Sequence, residues 1–62
     1  MNFEPICSLG EEVAWNGKSG RMQGVVIEIH ITFNKDRTII SYIIELPNTM
    51  HVIIVESSII KL

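Results

Sequence analysis

Between Gly24 and Leu46 apolar and polar residues follow the two-residue period of a half-buried strand, break once, and resume. Val25, Ile27, Ile29, Ile31 and Phe33 alternate with Val26, Glu28, His30 and Thr32, so one set faces a core and the other faces water. Asn34-Lys35-Asp36-Arg37 is a polar stretch of the length and composition of a hairpin loop built on a type I turn. Thr38 to Leu46 then resumes as a second strand, with isoleucine on both faces. Ser41 and Glu45 suit water better than a core, so Ile40, Tyr42, Ile44 and Leu46 are expected inside, and Ile39 and Ile43 outside.

The rest of the chain fits the same class. Isoleucine is abundant and leucine scarce, a preference for β-branched side chains that favours strands over helices. Glu12 to Trp15 reads as a short first strand, followed by the loop Asn16-Gly17-Lys18-Ser19-Gly20. Gly24 marks a bulge or sharp bend in the second strand, which begins at Arg21. Pro47-Asn48 has the chemistry of a β-turn centre. Met50 to Val55 makes a fourth strand that is apolar on both faces, so alternation leaves its register open. Glu56-Ser57-Ser58 is a single tight 3₁₀-like turn before a short fifth strand, Ile59 to Leu62. At the start, Pro5 argues against a helix interior or a central strand, and Phe3, Ile6 and Leu9 are expected to lie over one end of the fold as a lid.

With 62 residues the chain makes one domain, residues 1–62, with a lid segment at 1–9 and the strands at 10–62. A chain this short buries only about 60% of its unfolded surface, so its core needs reinforcement. Hydrophobic residues make up 47% and charged ones 19%, which points to a very apolar core or to association with another chain. The single cysteine, Cys7, excludes an internal disulfide and fits a reducing, cytoplasmic setting. No apolar run reaches the length of a membrane span, and the amino terminus lacks the basic start of a signal peptide. A net charge of −2 gives no global attraction to nucleic acid or to an anionic membrane.

Leu9-Gly10-Glu11-Glu12-Val13, Gly20, Gly24-Val25-Val26-Ile27-Glu28-Ile29 and Glu56-Ser57-Ser58-Ile59-Ile60 together resemble the pattern of small SH3-like β-barrels of the KOW and Tudor type. The chain is also similar to small bacterial and bacteriophage proteins of that fold whose function is unassigned. The resemblance implies an all-β, five-stranded SH3-like barrel with an irregular N-terminal segment, and its motifs speak for fold rather than activity.

Several chemistries are set aside on the residues themselves. Gly17-Lys18-Ser19 matches the end of a phosphate-binding loop, but Glu12 stands where that motif needs glycine, and no helix can follow. Cys7, His30 and His51 are too scattered for a metal-ligand spacing, so no metal or cofactor is expected. The carboxylates are dispersed, Cys7 has no partner base nearby in sequence, and no catalytic residue or small-molecule substrate is assigned. Trp15, Phe33 and Tyr42 do not assemble the aromatic cage of Tudor-type domains; Phe33 and Tyr42 are expected in the core, and Trp15 is either core edge or exposed contact.

The feature left over is apolar surface. Val26, Ile39, Ile43 and one of Ile53 or Ile54 would lie on the outside of adjacent strands, and contiguous outward aliphatics mark an interface. The expected function is a non-enzymatic protein-interaction module, self-associating or docking on a partner protein through Ile39 and Ile43, with Val26 and Ile53 beside them. The resemblance to phage proteins implies a regulatory or inhibitory role. The alternative is a weak KOW-like nucleic-acid contact through Trp15, Lys18 and Arg21 at the first loop.

Overall fold

The first hairpin is closed by Lys18-Ser19, with Gly17 opposite Gly20 at its end, and Gly20 takes a φ of 118° that side-chain-bearing residues rarely adopt. It joins β1 (Glu12–Gly17) to β2 (Gly20–Phe33) in a computed structural model that describes residues 4–62. β3 (Thr38–Glu45), β4 (His51–Val55), a 3₁₀ turn (Glu56–Ser58) and β5 (Ile60–Lys61) follow. All five strands belong to one antiparallel sheet in the order β4-β3-β2-β1-β5. The all-β expectation holds, although the sheet does not close into a continuous barrel: β4 and β5 remain its two edges.

Connections follow the turn chemistry of the sequence. Asn34 N donates to Arg37 O at 2.8 Å across the β2–β3 loop, and Thr49 N donates to Leu46 O at 2.9 Å around Pro47-Asn48. Ile59 N donates to Glu56 O at 3.1 Å, closing the 3₁₀ turn at the anticipated place.

The core comprises Cys7, Val13, Ala14, Trp15, Val26, Tyr42 and Ile44, with Ile29, Ile40, Leu46, Val52, Ile54 and Ile59 packed around it. Val13, Ala14 and Trp15 are consecutive and all buried, so β1 is covered on both faces, which an open flat sheet would not allow. Gly24 lies buried against β3: a Cβ there would stand 2.4 Å from Ile44 Cγ2 and 2.8 Å from the Glu45 carbonyl oxygen. Gly24 therefore serves close approach.

The bulge falls farther along. Val26 pairs with Ile44 and Glu28 with Ile43, so Ile27 is the extra residue. Its insertion reverses the face on which the first part of β2 points. Val26, expected outside, is 1% exposed in the core, and Val25, expected inside, is exposed. Beyond the bulge Ile29, Ile31 and Phe33 do lie on the core-side face, opposite Tyr42, Ile40 and Thr38. Ile31 and Phe33 are nevertheless exposed, because β4 reaches only as far as Ser41 and the hairpin tip outruns the rest of the sheet. Of the expected lid, Phe3 lies outside the described residues, and Ile6 and Leu9 are exposed; Cys7 is the residue that enters the core.

Candidate interaction surface

The registers of β2, β3 and β4 fix the outer face of the sheet. Ile43 lies between Glu28 on β2 and Ile53 on β4, Ser41 lies between His30 and Val55, and Ile39 is opposite Thr32. Side chains on one face recur every second residue, so Ile39, Ile43, Ile53 and Val55 share the outer face. Ile53 is 69% exposed and Val55 43%, whereas Ile39 and Ile43 are half-buried among their neighbours. Val26 does not join them, for the reason given above. Val55 does, and the sequence held its signal: once β4 is in register with Ile53 outside, its alternate residue Val55 must follow.

Two acid–imidazole contacts frame this apolar row. His30 Nε2 is 2.9 Å from Glu28 Oε1 on the β2 side, and His51 Nε2 is 3.5 Å from Glu45 Oε2 across β3 and β4. An apolar centre with a polar, hydratable rim is the common anatomy of a protein interface.

Behind the sheet, a polar cluster fastens the N-terminal segment. Tyr42 is fully buried on the core side, and its hydroxyl donates to Glu56 Oε2 at 2.5 Å while accepting from the backbone N–H groups of Ile6 (3.1 Å) and Cys7 (3.3 Å). Ile6 N also donates to Glu56 Oε2 at 3.0 Å. Lys61 Nζ donates to Ile6 O at 2.7 Å and stands 3.2 Å from Glu11 Oε2, and Ser8 N donates to Glu11 Oε1 at 3.0 Å. Sequence reasoning placed Tyr42 in the core but missed this latch. A buried tyrosine hydroxyl needs a partner, and the turn carboxylate of Glu56 was available.

The electrostatics of the cluster favour holding over reacting. Burial, reinforced by the hydrogen bond to Glu56, pushes the Tyr42 hydroxyl well above its ordinary range. Burial, with the Glu11 charge adding to it, also raises the Cys7 thiol, away from the thiolate that nucleophilic chemistry uses. The Glu11 carboxyl is lowered, first by the Ser8 N–H and then by Lys61. Among the described residues no group of His, Cys, Asp and Glu side chains is arranged to hold a metal ion. An open groove of about 570 Å³ lies between Arg21, Met22, Gln23, Leu46, Pro47 and Asn48. Arg21 is its one ionisable side chain.

At the first loop Lys18 and Arg21 are exposed, but Trp15 is 4% exposed and belongs to the core, because Val13 and Trp15 share a strand covered on both faces. The loop therefore offers cations without a stacking platform. Lys35 and Arg37 lie in the turn at the opposite end of β2 and do not extend that patch. Among the described residues no helix is long and apolar enough to cross a membrane. Comparison with family models, with characterised proteins and with solved structures finds no match to this chain.

Proposed function

We propose that this chain is a non-enzymatic interaction module whose strands follow the SH3-like arrangement of KOW and Tudor domains, and that it docks on a protein through the outer face of β3 and β4. The observation that carries the reading is the row of Ile43 and Ile53, directly paired across two strands, with Ile39 and Val55 beside them and Glu28, His30, Glu45 and His51 around them. Fully burying an isoleucine contributes about 1.5–3 kcal/mol relative to leaving it exposed. Ile53, the most exposed of the row, has the most to gain and is the expected anchor. The partner is another protein or a second copy, and a cytoplasmic regulatory or inhibitory role of the phage type accords with the resemblance of the sequence pattern.

The test is affinity capture from cells with wild-type protein, Ile43→Glu and Ile53→Lys, each variant first shown by circular dichroism to fold. Loss of the same captured protein with both variants is the expected result. Capture of an unchanged set of proteins by both would overturn the outer-face assignment.

A further inference from the structure

β2 is flanked over different lengths on its two sides. β1 pairs with it from Gly20 to Val25, whereas β3 pairs with it only from Val25 onward, so Arg21 to Gly24 have no strand on the β3 side. The direction of their backbone groups follows from Val26, whose N–H donates to Glu11 O at 3.0 Å and whose C=O accepts from Gly10 N at 2.7 Å, both on the β1 side. Backbone groups alternate in direction along a strand, so Val25, Gln23 and Arg21 point theirs the other way. Val25 meets Glu45 there, but among the described residues no strand, turn or side chain bonds to the backbone of Gln23 and Arg21. Pro47 stands where β3 would continue, and it has no N–H to give. The turn that holds it is closed on itself: Leu46 N donates to Met50 O, Thr49 N to Leu46 O and Met50 N to Asn48 Oδ1.

The 570 Å³ groove lies along this unpaired length, between β2 and the turn. Its floor is apolar, because Met22 shares the face of its partner Trp15 and Leu46 packs on the core. Its ends differ in charge. Arg21 lines one end, with the exposed Lys18 in the adjoining loop, while past Gln23 the groove continues between Glu12 and Glu45, the latter beside His51. We propose that this slot takes an extended segment of a partner protein as a short added strand, antiparallel to β2, reading basic, apolar, acidic from its amino end. The basic residue lies opposite Gln23, toward Glu12 and Glu45. The apolar residue lies opposite Met22 and turns its side chain to Met22 and Leu46, and the acidic residue lies opposite Arg21. Gln23 and Arg21 then make about four main-chain hydrogen bonds to the segment, and the alternating side chains supply selectivity. The slot is a strand edge at the β3–β4 turn and shares no residue with the row of Ile39, Ile43, Ile53 and Val55, so this inference and the outer-face reading fail separately.

The experiment titrates the peptide Ser-Lys-Ile-Glu-Ser, capped at both ends, to millimolar concentration into isotope-labelled protein at low salt and follows the backbone amide resonances. Saturable shifts are expected at Arg21 and Gln23, with Leu46 and Asn48 following. The reversed peptide Ser-Glu-Ile-Lys-Ser has the same composition and is expected to bind severalfold more weakly. Methylating the glutamate nitrogen of the probe removes one strand hydrogen bond, leaves the charges in place and should weaken binding about tenfold. Arg21→Glu should weaken the probe severalfold and favour Ser-Lys-Ile-Lys-Ser instead. An absence of saturable shifts overturns the proposal. So do shifts centred on Ile43, Ile53 and Val55, which give the peptide to the outer face, or equal binding of the original, reversed and methylated probes, which shows contact without strand pairing. Shifts at Lys18 and Arg21 caused by a short single-stranded RNA and not by the peptide assign these cations to nucleic acid, and shifts that grow with protein concentration alone assign the slot to a second copy; either result overturns the proposal.

Discussion

Removing one oxygen atom, by Tyr42→Phe, tests whether the polar cluster behind the sheet holds the fold. The ring is retained, so the hydrophobic core around Val13, Trp15, Val26 and Ile44 is untouched. What disappears is the donor to Glu56 and the acceptor for the Cys7 and Ile6 N–H groups. Ile6 N keeps Glu56 as a partner, whereas the Cys7 N–H loses the hydroxyl in a buried setting. A hydrogen bond to a charged group contributes about 1.5–3 kcal/mol net, and a buried donor left unsatisfied costs about 1–3 kcal/mol. Because the two effects share one hydroxyl and are not fully additive, the expected loss is about 2–4 kcal/mol.

For a chain of this length the total stability is on the order of 3–9 kcal/mol, so the loss is a large fraction of the whole. It should appear as a fall in the urea midpoint at unchanged slope, and as a Tm lower by roughly 15–30 °C. Amide hydrogen exchange provides the local readout, with the Cys7 amide losing more protection than the β3 amides. Glu56→Gln keeps an acceptor and should be milder than Tyr42→Phe. A Tyr42→Phe protein within about 0.5 kcal/mol of wild type, as for an ordinary surface substitution, would refute the latch.

Gly24→Ala drives a methyl group into Ile44 and the Glu45 carbonyl, and should destabilise by about 1–3 kcal/mol in chemical denaturation. Val26→Ala should lower stability by more than about 1 kcal/mol and Ile53→Ala by much less, an ordering that reverses if β2 has no bulge at Ile27. Tyr42 is the only tyrosine, and its folded-state pKa is raised, so its stabilising contribution is complete below the ordinary value of 10.0 and is lost as pH rises above it. Tyrosinate absorbance should therefore appear together with the loss of native Trp15 fluorescence, and a tyrosine that ionises near its ordinary value with the fold intact would contradict the burial. Glu11 is shifted the other way: its contribution is present above the ordinary carboxyl value of 4.5 and lost as pH falls below it, so Glu11→Gln should flatten the acid limb of the stability profile.

Much of the fold was legible because local chemistry and global structure agree. Asn34 to Arg37, Pro47-Asn48 and Glu56 to Ser58 are turns by residue type; the last two close with the expected bond from the fourth residue's N–H to the first residue's carbonyl, while Asn34 N donates to Arg37 O in the opposite sense. In β3, Ser41 and Glu45 fixed the inward face correctly, and Tyr42 and Ile44 are fully buried. The phase of early β2 was illegible for a specific reason. Val25, Val26 and Ile27 are consecutive β-branched aliphatics, so an inserted residue leaves the hydrophobic pattern acceptable in either phase. A bulge among polar neighbours would have broken the alternation visibly. Here it moved Val26 from the proposed interface into the core without a trace in the pattern.

Strand length relative to the neighbours was hidden for a different reason. Period two identifies a face, but it carries no information about how far the adjacent strands run. Ile31 and Phe33 were assigned to the correct face and yet remain exposed, because β4 begins its pairing only at Ser41 and β1 stops at Val25. The alternation selected for burial thus continues past the point to which β1 and β4 flank the strand.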